Sequence, residues 1–570
     1  MKKRLARFLV MAMLIPLLLL HGCFWRDSDI QNEQPGAIAG YEEDDTTLPE
    51  VTRRRPRRFS LRYDSTSTLN PITADNRDNI ILSSLLYESL FVLNEAFEAE
   101  PVLAESYHTY DGRTYTITIM PGVIMSDGTY LTADDVEYSI RLAMQRGRFV
   151  NRLRIIENVS ATEELTVTIT LRFTNNRFIR LLDVPIIKSG SSGRRIPFGT
   201  GPFIYMFRDA GVRLESFMGH RDFGRLPIHE IHLVECYDNE VSGLFSDGVL
   251  SLIWDGPTSA TAVRLNRTPA TRLYDTTTLH FIGFNARNPA LRIADVRRAV
   301  GLAVDRAYIV NELYREQAVM APLALSPLLE LYDATWERMN VRELEQLFEF
   351  LFADVRRDGD AGAIARFESM RGEERRLNEE GISFMQDPFI KAAALISRAR
   401  FMYIDGDAEL TLDFIVSREN PYRVRAAHKI AQTLRFAGFG VTVRELPWAE
   451  FIRALQNGNF DIYYGAASLG ADFDFSPLLL PGGRLDYGGV GSEEYREYIN
   501  AFLSAEAGAE ESAAARSLVN MIRREAPFIP ILYKRHAVYT QVGAVSGASP
   551  SQSNIFRNLT DWTVDFSRLQ

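Results

Sequence analysis

Two carboxylates stand close together in a loop that follows an apolar, strand-like segment of the chain. The segment DIYYGA, beginning at Asp461, predicts a strand, and Asp472 and Asp474 lie in the loop after it. Ligands of α/β proteins bind at the carboxyl ends of strands, so this loop is a candidate binding site. A buried carboxylate facing an ammonium group would form a strong charge-assisted bond. The alternative is that both acids are solvated loop residues or turn formers, and the sequence leaves the two interpretations open.

Catalytic chemistry has little support in the sequence. Neither a Gly-x-Ser-x-Gly nucleophile motif nor a His-Glu-x-x-His zinc motif occurs in the chain. His229 and His232 are three residues apart in a strand-like run, which puts them on opposite faces of a strand. Asp134 and Asp135 fall at a predicted helix start, where acidic side chains favour the helix dipole. We therefore expect no enzymatic activity, no cofactor and no metal site.

Length and charge narrow the class of protein. The chain has 570 residues and a formal net charge of −10 at pH 7. This length exceeds what one hydrophobic core supports, so two or three domains are expected. A nucleic-acid-binding protein needs a basic face, which the acidic balance disfavours. No nucleic-acid partner is expected.

The N-terminus predicts export and a lipid anchor. Basic residues precede an uncharged apolar run over residues 8–20. A helix over that run would be about 20 Å long, which is shorter than the roughly 30 Å hydrocarbon core of a membrane. The run is therefore typical of a signal peptide. It ends in Leu20-His21-Gly22-Cys23, which resembles a lipobox and implies cleavage before Cys23 and a diacylglycerol on its thiol; the alternative is an ordinary cleaved signal.

The most informative pattern is a hairpin followed by a helix between residues 99 and 144. Thr114 to Ile119 alternates polar and apolar residues, which predicts a half-buried strand bounded by Asp-Gly turns. Thr132 stands three residues before Asp135, and apolar residues follow at helical spacing. This is the pattern of a capped amphipathic helix.

The order of these pieces closely resembles the signature of bacterial solute-binding protein family 5. The family contains the oligopeptide-, dipeptide- and nickel-binding proteins of ABC importers. Two further segments carry the same resemblance, Gly199-Thr200-Gly201-Pro202 and the helix beginning Asp295-Val296-Arg297.

The resemblance implies an α/β, two-lobed, periplasmic-binding-protein-like fold (type II) with an extra N-terminal subdomain and a helical insertion. The expected divisions are a signal peptide at 1–22, a flexible tether at 23–58, lobe I at 59–75, 196–279 and 528–570, the extra subdomain at 76–195, and lobe II at 280–527. The insertion is expected at about 328–390, where a charged segment carries an apolar helical stripe.

The resemblance also implies a binding site. Asp472 occupies the position at which peptide-binding members pair an aspartate with the α-ammonium of the peptide. A loop of lobe I that contains Asn70 is expected to approach the same cleft. The predicted ligand-binding residues are Asn70, Ser468, Leu469, Gly470, Asp472 and Asp474.

The implied function is capture of peptides by closure of two lobes and delivery to an ABC permease powered by its ATPase subunits. The protein is expected to be a monomer, anchored by Cys23 on the extracytoplasmic face of the cell membrane, at the cell surface or in a periplasm. Alternatives are the same fold binding a nickel chelate or an oligosaccharide, a sensing receptor, and, with less support, a secreted hydrolase.

Overall fold

The described part of the chain begins after the predicted export region. The structure, a computed structural model, describes residues 58–208, 211–256, 258, 262–265, 268–372, 375–403 and 410–569. The predicted signal peptide at 1–22, the proposed lipidation site Cys23 and the predicted tether up to residue 57 lie outside the described residues.

The strands are short except for two that cross much of the molecule. In chain order they are β1 Phe59–Tyr63, β2 Phe91–Leu93, β3 Ala99–Pro101, β4 Ala104–Thr109, β5 Thr114–Ile119, β6 Ile156–Glu163, β7 Thr166–Leu171, β8 Phe203–Arg208, β9 Gly211–Ser216, β10 Glu230–Glu235, β11 Leu252–Asp255, β12 Ala270–Phe284, β13 Ala318–Met320, β14 Leu410–Ser417, β15 Phe439–Leu446, β16 Ile462–Ser468, β17 Phe528–Thr540, β18 Val545–Ser546 and β19 Thr563–Val564.

The longer helices lie in the second half of the chain. In order, the helices are α1 Arg77–Leu82, α2 Ala133–Gln145, α3 Val241–Ser246, α4 Pro289–Arg292, α5 Ala294–Ala303, α6 Arg306–Tyr308, α7 Val341–Asp358, α8 Ala361–Met370, α9 Glu379–Gln386, α10 Pro388–Tyr403, α11 Pro421–Phe436, α12 Trp448–Asn457, α13 Ser476–Leu479, α14 Tyr495–Ser504 and α15 Ala509–Glu525.

The predicted hairpin and helix form as expected. Strands β4, β5, β7 and β6 make an antiparallel sheet in that order. In β5 the apolar residues Tyr115, Ile117 and Ile119 are buried, while the threonines between them are more exposed. Helix α2 begins after Thr132, whose backbone nitrogen and hydroxyl each lie 3.1 Å from the Asp135 carboxylate. Thr132 and Asp135 thus form the capping interaction that their spacing predicts.

A larger mixed sheet contains the two long strands. Its order is β11-β17-β12-β16-β14-β15, with β13 paired to β17. Strands β14 and β15, joined by α11, pair in parallel as the β-α-β pattern predicts. Both faces of the sheet are covered, because neighbouring residues of β12 enter different cores: Phe281 packs with Phe473, and Ile282 packs with Val300. Strand β12 continues without a break past residue 279, where lobe I was expected to end.

The predicted insertion is a helical unit that packs on this sheet. Its apolar stripe places Leu344, Leu347 and Phe348 in the same core as Ile282 of β12. The expected end at residue 390 falls within α10, which continues to Tyr403; the bounds of the insertion stay a prediction.

Candidate ligand-binding cavity

A cavity of about 560 Å³ lies among segments that are far apart in the chain. Its walls come from α1 and the turn after it, the loop after α2, the two long strands and a C-terminal segment at 552–560. Tyr274 of β12, His536 of β17 and Ser468 at the end of β16 all border it. This volume lies within the range of about 300–1,000 Å³ that is typical of small-molecule sites.

Positive charge exceeds negative charge on the cavity walls. The lining arginines and acids are Arg77, Arg148, Arg152, Arg221 and Arg557 against Glu88, Asp183 and Asp222. Four of these arginines have a carboxylate partner: Arg77 with Asp255 at 3.5 Å, Arg152 with Asp183 at 2.5 Å, Arg221 with Glu88 at 2.5 Å, and Arg557 with Glu100 at 3.0 Å.

Arg148 differs from the other lining arginines. No described carboxylate lies within 4.0 Å of it; Nη1 donates to the carbonyl of Pro71 at 3.0 Å, and the guanidinium stacks 4.4 Å from the centre of the Phe149 ring. The side chain is exposed to the cavity although protein surrounds it. This partial burial, together with nearby Arg152, lowers the pKa of Arg148 to about 10. Arg148 is therefore a charged group that faces the cavity without a counter-ion among the described residues.

Lys534 lies near the cavity-lining residues Arg77 and His536, and Arg423 lies near Lys534, but neither Lys534 nor Arg423 lines the cavity. Lys534 is two residues before His536 on β17, and both side chains lie against Gly256, where a Cβ would be 2.8 Å from Lys534 Nζ and 3.4 Å from the His536 ring. Burial, aided by Arg423 and Arg77, lowers the pKa of Lys534 to about 8. Arg423, in the first turn of α11, has a buried Nε without a hydrogen-bond partner. Within the described chain neither Lys534 nor Arg423 has an ion-pair partner.

Asp472 is buried at a contact between the N-terminal part of the chain and the large sheet. Its side chain is 4% exposed, and Oδ2 accepts a hydrogen bond of 3.1 Å from Nδ2 of Asn175. Burial and the neighbouring Asp474 raise the pKa of Asp472 to about 6. Arg177 donates to the Asp472 backbone carbonyl at 3.0 Å, but its guanidinium pairs with Glu511. The Asp472 carboxylate thus has a neutral partner and, among the described side chains, no ion pair.

The backbone after Asp472 is held in an unusual conformation. Phe473 has a φ of 57°, which lies in the left-handed region and is uncommon for a bulky residue. Such a conformation costs about 1–3 kcal/mol and persists only where packing enforces it. The Phe473 ring is fully buried, with its centre 5.8 Å from that of Phe97 and 6.2 Å from that of Tyr533. This packing fixes the direction in which Asp472 points.

The other predicted site residues have different surroundings. Ser468 borders the cavity, and its hydroxyl lies 2.9 Å from that of Thr278. Leu469 is buried, its backbone nitrogen donating to Thr277 at 3.1 Å, and a Cβ at Gly470 would collide with Asp472 Oδ1.

Asp474 and Asn70 support local structure. Asp474 accepts a hydrogen bond from the nitrogen of Ser476 at 2.8 Å, at the start of α13. Asn70 is buried, donates to the carbonyl of Ser192 at 3.1 Å and accepts from the nitrogen of Ile72. Of the six predicted residues, only Ser468 lines the 560 Å³ cavity; direct ligand contact by the others stays a prediction.

The cavity arginines and Lys534 were missed by reasoning from sequence. The segment RGRFVNRLR, from Arg146 to Arg154, holds four arginines in a short stretch and is the one signal that pointed to Arg148 and Arg152. Lys534 and Arg423 stand in ordinary strand and helix patterns, so nothing in the sequence marks them as unpaired.

The described residues include neither a candidate membrane span nor a candidate metal site. No helix within the described ranges is long and apolar enough to cross a membrane. No group of three or more His, Cys, Asp or Glu side chains in those ranges is arranged to hold a metal ion.

Comparison with known proteins places the chain in a family. The family model described as bacterial extracellular solute-binding proteins, family 5 Middle, matches residues 98–481. The chain belongs to this family of solute-binding proteins. The predicted resemblance is therefore confirmed, and the protein is a solute-binding protein with mixed α/β structure.

Relatives and solved structures agree with this assignment. The chain is 23% identical over 501 residues to a binding protein of Brucella abortus, covering 79% of this chain and 78% of the relative. It is 25% identical over 278 residues to the glutathione-binding protein GsiB of Escherichia coli, covering 46% of this chain and 54% of that relative. The oligopeptide-binding protein AppA of Bacillus subtilis, solved with a nonapeptide, matches with a TM-score of 0.57 and 18% identity over 89% of this chain and 98% of that one. The expected two-lobed, type II periplasmic-binding-protein fold is confirmed.

Proposed function

We propose that this solute-binding protein captures small peptides outside the cytoplasm and delivers them to the permease of an ABC importer, whose ATPase subunits supply the energy. It acts as a monomer held on the membrane through a diacylglycerol on Cys23. It has no catalytic role of its own.

One observation supports the peptide assignment: unsatisfied charges of both signs occur in the described chain at Asp472, Lys534 and Arg423, although none of these three lines the 560 Å³ cavity. Among the described residues, the buried carboxylate of Asp472 has no ion-pair partner, and neither do the cations of Lys534 and Arg423. A peptide carries an ammonium group and a carboxylate at its two ends, so it complements both. A buried charge is costly unless it is paired, so a zwitterionic ligand that reached charges of both signs would lower that cost.

Ligand entry requires movement at Asn175. The side-chain amide of Asn175 donates a hydrogen bond to the Asp472 carboxylate, and the amide of the neighbouring Asn176 donates to the carbonyl of Ser504 at 2.6 Å. These contacts join the expected subdomain at 76–195 to the expected lobe II at 280–527. Separation of the two would free Asp472 for the ammonium group, and closure over the peptide would follow as hinge motion. In the closed form the peptide backbone is held by strand-like hydrogen bonds, and water fills the loosely fitting side-chain pockets.

Native mass spectrometry of the full chain, extracted gently from its host membranes, tests the proposal. We expect a set of short peptides to be released and sequenced by fragmentation, to be lost in Asp472→Ala, and to be retained in Glu506→Gln, which changes an exposed acid. A single non-peptide species, such as a metal chelate or an oligosaccharide, would contradict the peptide assignment and leave the family assignment intact.

The lipid anchor has a separate test. Cys23→Ser is expected to move the protein from the membrane fraction to the soluble fraction, since two acyl chains suffice for stable anchoring. Mass analysis of the mature N-terminus should show the diacylglycerol on Cys23. Retention of Cys23→Ser in the membrane fraction would count against the anchor.

A further inference from the structure

One corner of the cavity carries an uncompensated positive charge. The Phe149 ring lies between two guanidinium groups, with Arg148 at 4.4 Å and Arg152 at 4.7 Å from the ring centre. Asp183 Oδ1 is 2.5 Å from Arg152 Nη2, whereas no described acid lies within ion-pair distance of Arg148. All four side chains border the cavity. Two like charges held close together around one acid leave a site that attracts an anion.

The geometry at Arg148 suits a carboxylate in particular. A guanidinium has five N–H donors, and among the described residues only the hydrogen bond from Nη1 to the Pro71 carbonyl engages them. That bond and the stacking on Phe149 hold the group in place, and its other donors have no hydrogen-bond partner among the described residues. A planar guanidinium fixed in this way binds a carboxylate through two parallel hydrogen bonds.

Arg148 belongs to a different part of the chain from the cations assigned to the peptide carboxyl terminus. It lies on the loop after α2, whereas Lys534 lies on β17 and Arg423 lies on α11. A ligand that neutralises both sets therefore needs two carboxylates. We infer that the solute is an acidic peptide whose second carboxylate binds Arg148 beside Phe149 and Arg152. This inference rests on the proposed function for the ammonium group and the first carboxylate.

Matched pairs of probes test the inference by calorimetry on the full chain. The probes are Ala-Glu with Ala-Gln, Glu-Ala with Gln-Ala, and the non-peptide propane-1,2,3-tricarboxylate. We expect at least one acidic peptide to bind about tenfold or more tightly than its amide counterpart, a difference of about 1.4 kcal/mol. The preference should disappear in Arg148→Gln, be weakened but not abolished in Arg148→Lys, which keeps the charge and loses the paired hydrogen bonds, and be unchanged in Arg146→Gln, an exposed arginine two residues away that does not border the cavity.

The outcomes separate this inference from the proposed function. Equal affinity for acid and amide probes, or a preference that survives in Arg148→Gln, would overturn the role of Arg148. Binding of the tricarboxylate but of no peptide, with dependence on Arg148, would support the carboxylate site and contradict the peptide assignment. No binding of any probe would overturn both. The melting temperature of ligand-free Arg148→Gln, expected to match that of the unchanged protein, shows that a lost preference is not a folding defect.

Discussion

Nδ2 of Asn175 lies 3.1 Å from Oδ2 of Asp472, and both residues are almost completely buried. The two residues belong to segments that were expected to form different parts of the protein, the extra subdomain and lobe II. A neutral amide is a weak substitute for a cation opposite a buried carboxylate. The contact therefore joins the two parts while leaving the carboxylate available to a stronger partner.

The raised pKa of Asp472 predicts how stability changes with pH. Because its pKa in the folded protein, about 6, exceeds the ordinary value of 3.8, the folded state binds more protons between these two pH values. Stability of the ligand-free protein should thus rise as pH falls through that window. Asp472→Asn should increase the free energy of unfolding by about 1–3 kcal/mol at neutral pH, with the gain shrinking towards pH 4. Urea unfolding across this range checks it, and an equal gain at all pH values would contradict it.

The lowered pKa of Lys534 predicts that ligand binding weakens at high pH. Its pKa is lowered to about 8, so the ammonium group loses its proton as the pH rises above that value, and attraction for a ligand carboxylate is lost. The affinity for trialanine should fall between about pH 7 and pH 10. Lys534→Arg should reduce the pH dependence to the part caused by titration of the α-ammonium group of the peptide, because a guanidinium stays charged. Trialanine amide, which lacks the carboxylate, is the control; an identical pH profile for both peptides would exclude Lys534 from carboxylate binding.

The ion pair with Glu511 compensates the buried positive charge of Arg177. Arg177 is 3% exposed, stacks 4.8 Å from the centre of the Phe502 ring and forms an ion pair with Glu511. Glu511→Gln should lower the free energy of unfolding by about 3–5 kcal/mol, because it leaves a buried charge unpaired. Glu506→Gln, three residues before α15 begins, should change it by no more than about 0.5 kcal/mol. Comparable effects of the two substitutions in denaturant titration would show that the ion pair is unimportant.

The helical insertion should contribute to stability without contributing to binding. Phe348 is buried with its ring centre 5.1 Å from that of Phe367. Phe348→Ala should cost about 3–5 kcal/mol of unfolding free energy through the cavity it creates. Ligand affinity, measured well below the melting temperature, should not change, because no residue of α7–α10 borders the 560 Å³ cavity. Phe436→Ala, at a site 77% exposed, is the stability control; a large loss of affinity in Phe348→Ala would give the insertion a role in binding.

Local patterns predicted the elements that depend on neighbouring residues. The cap between Thr132 and Asp135, the alternating strand at Thr114–Ile119 and the parallel pair of β14 and β15 follow from spacing and periodicity within short segments. The family signature is built from such segments, so the fold class was predictable as well. The end of helix α10 was less predictable, because its apolar pattern does not stop at residue 390.

Taken by itself, the sequence determined the family, the fold class and the loop that carries Asp472. The tertiary structure decided which charges are compensated. Asp472 and Asn175 are separated by 297 residues along the chain, and Arg148 faces the same cavity as Ser468 and His536. Whether a carboxylate or a guanidinium has a partner depends on how distant segments are brought together and on how much water they exclude. Neither quantity can be read from residue spacing, because both arise only when the chain has folded.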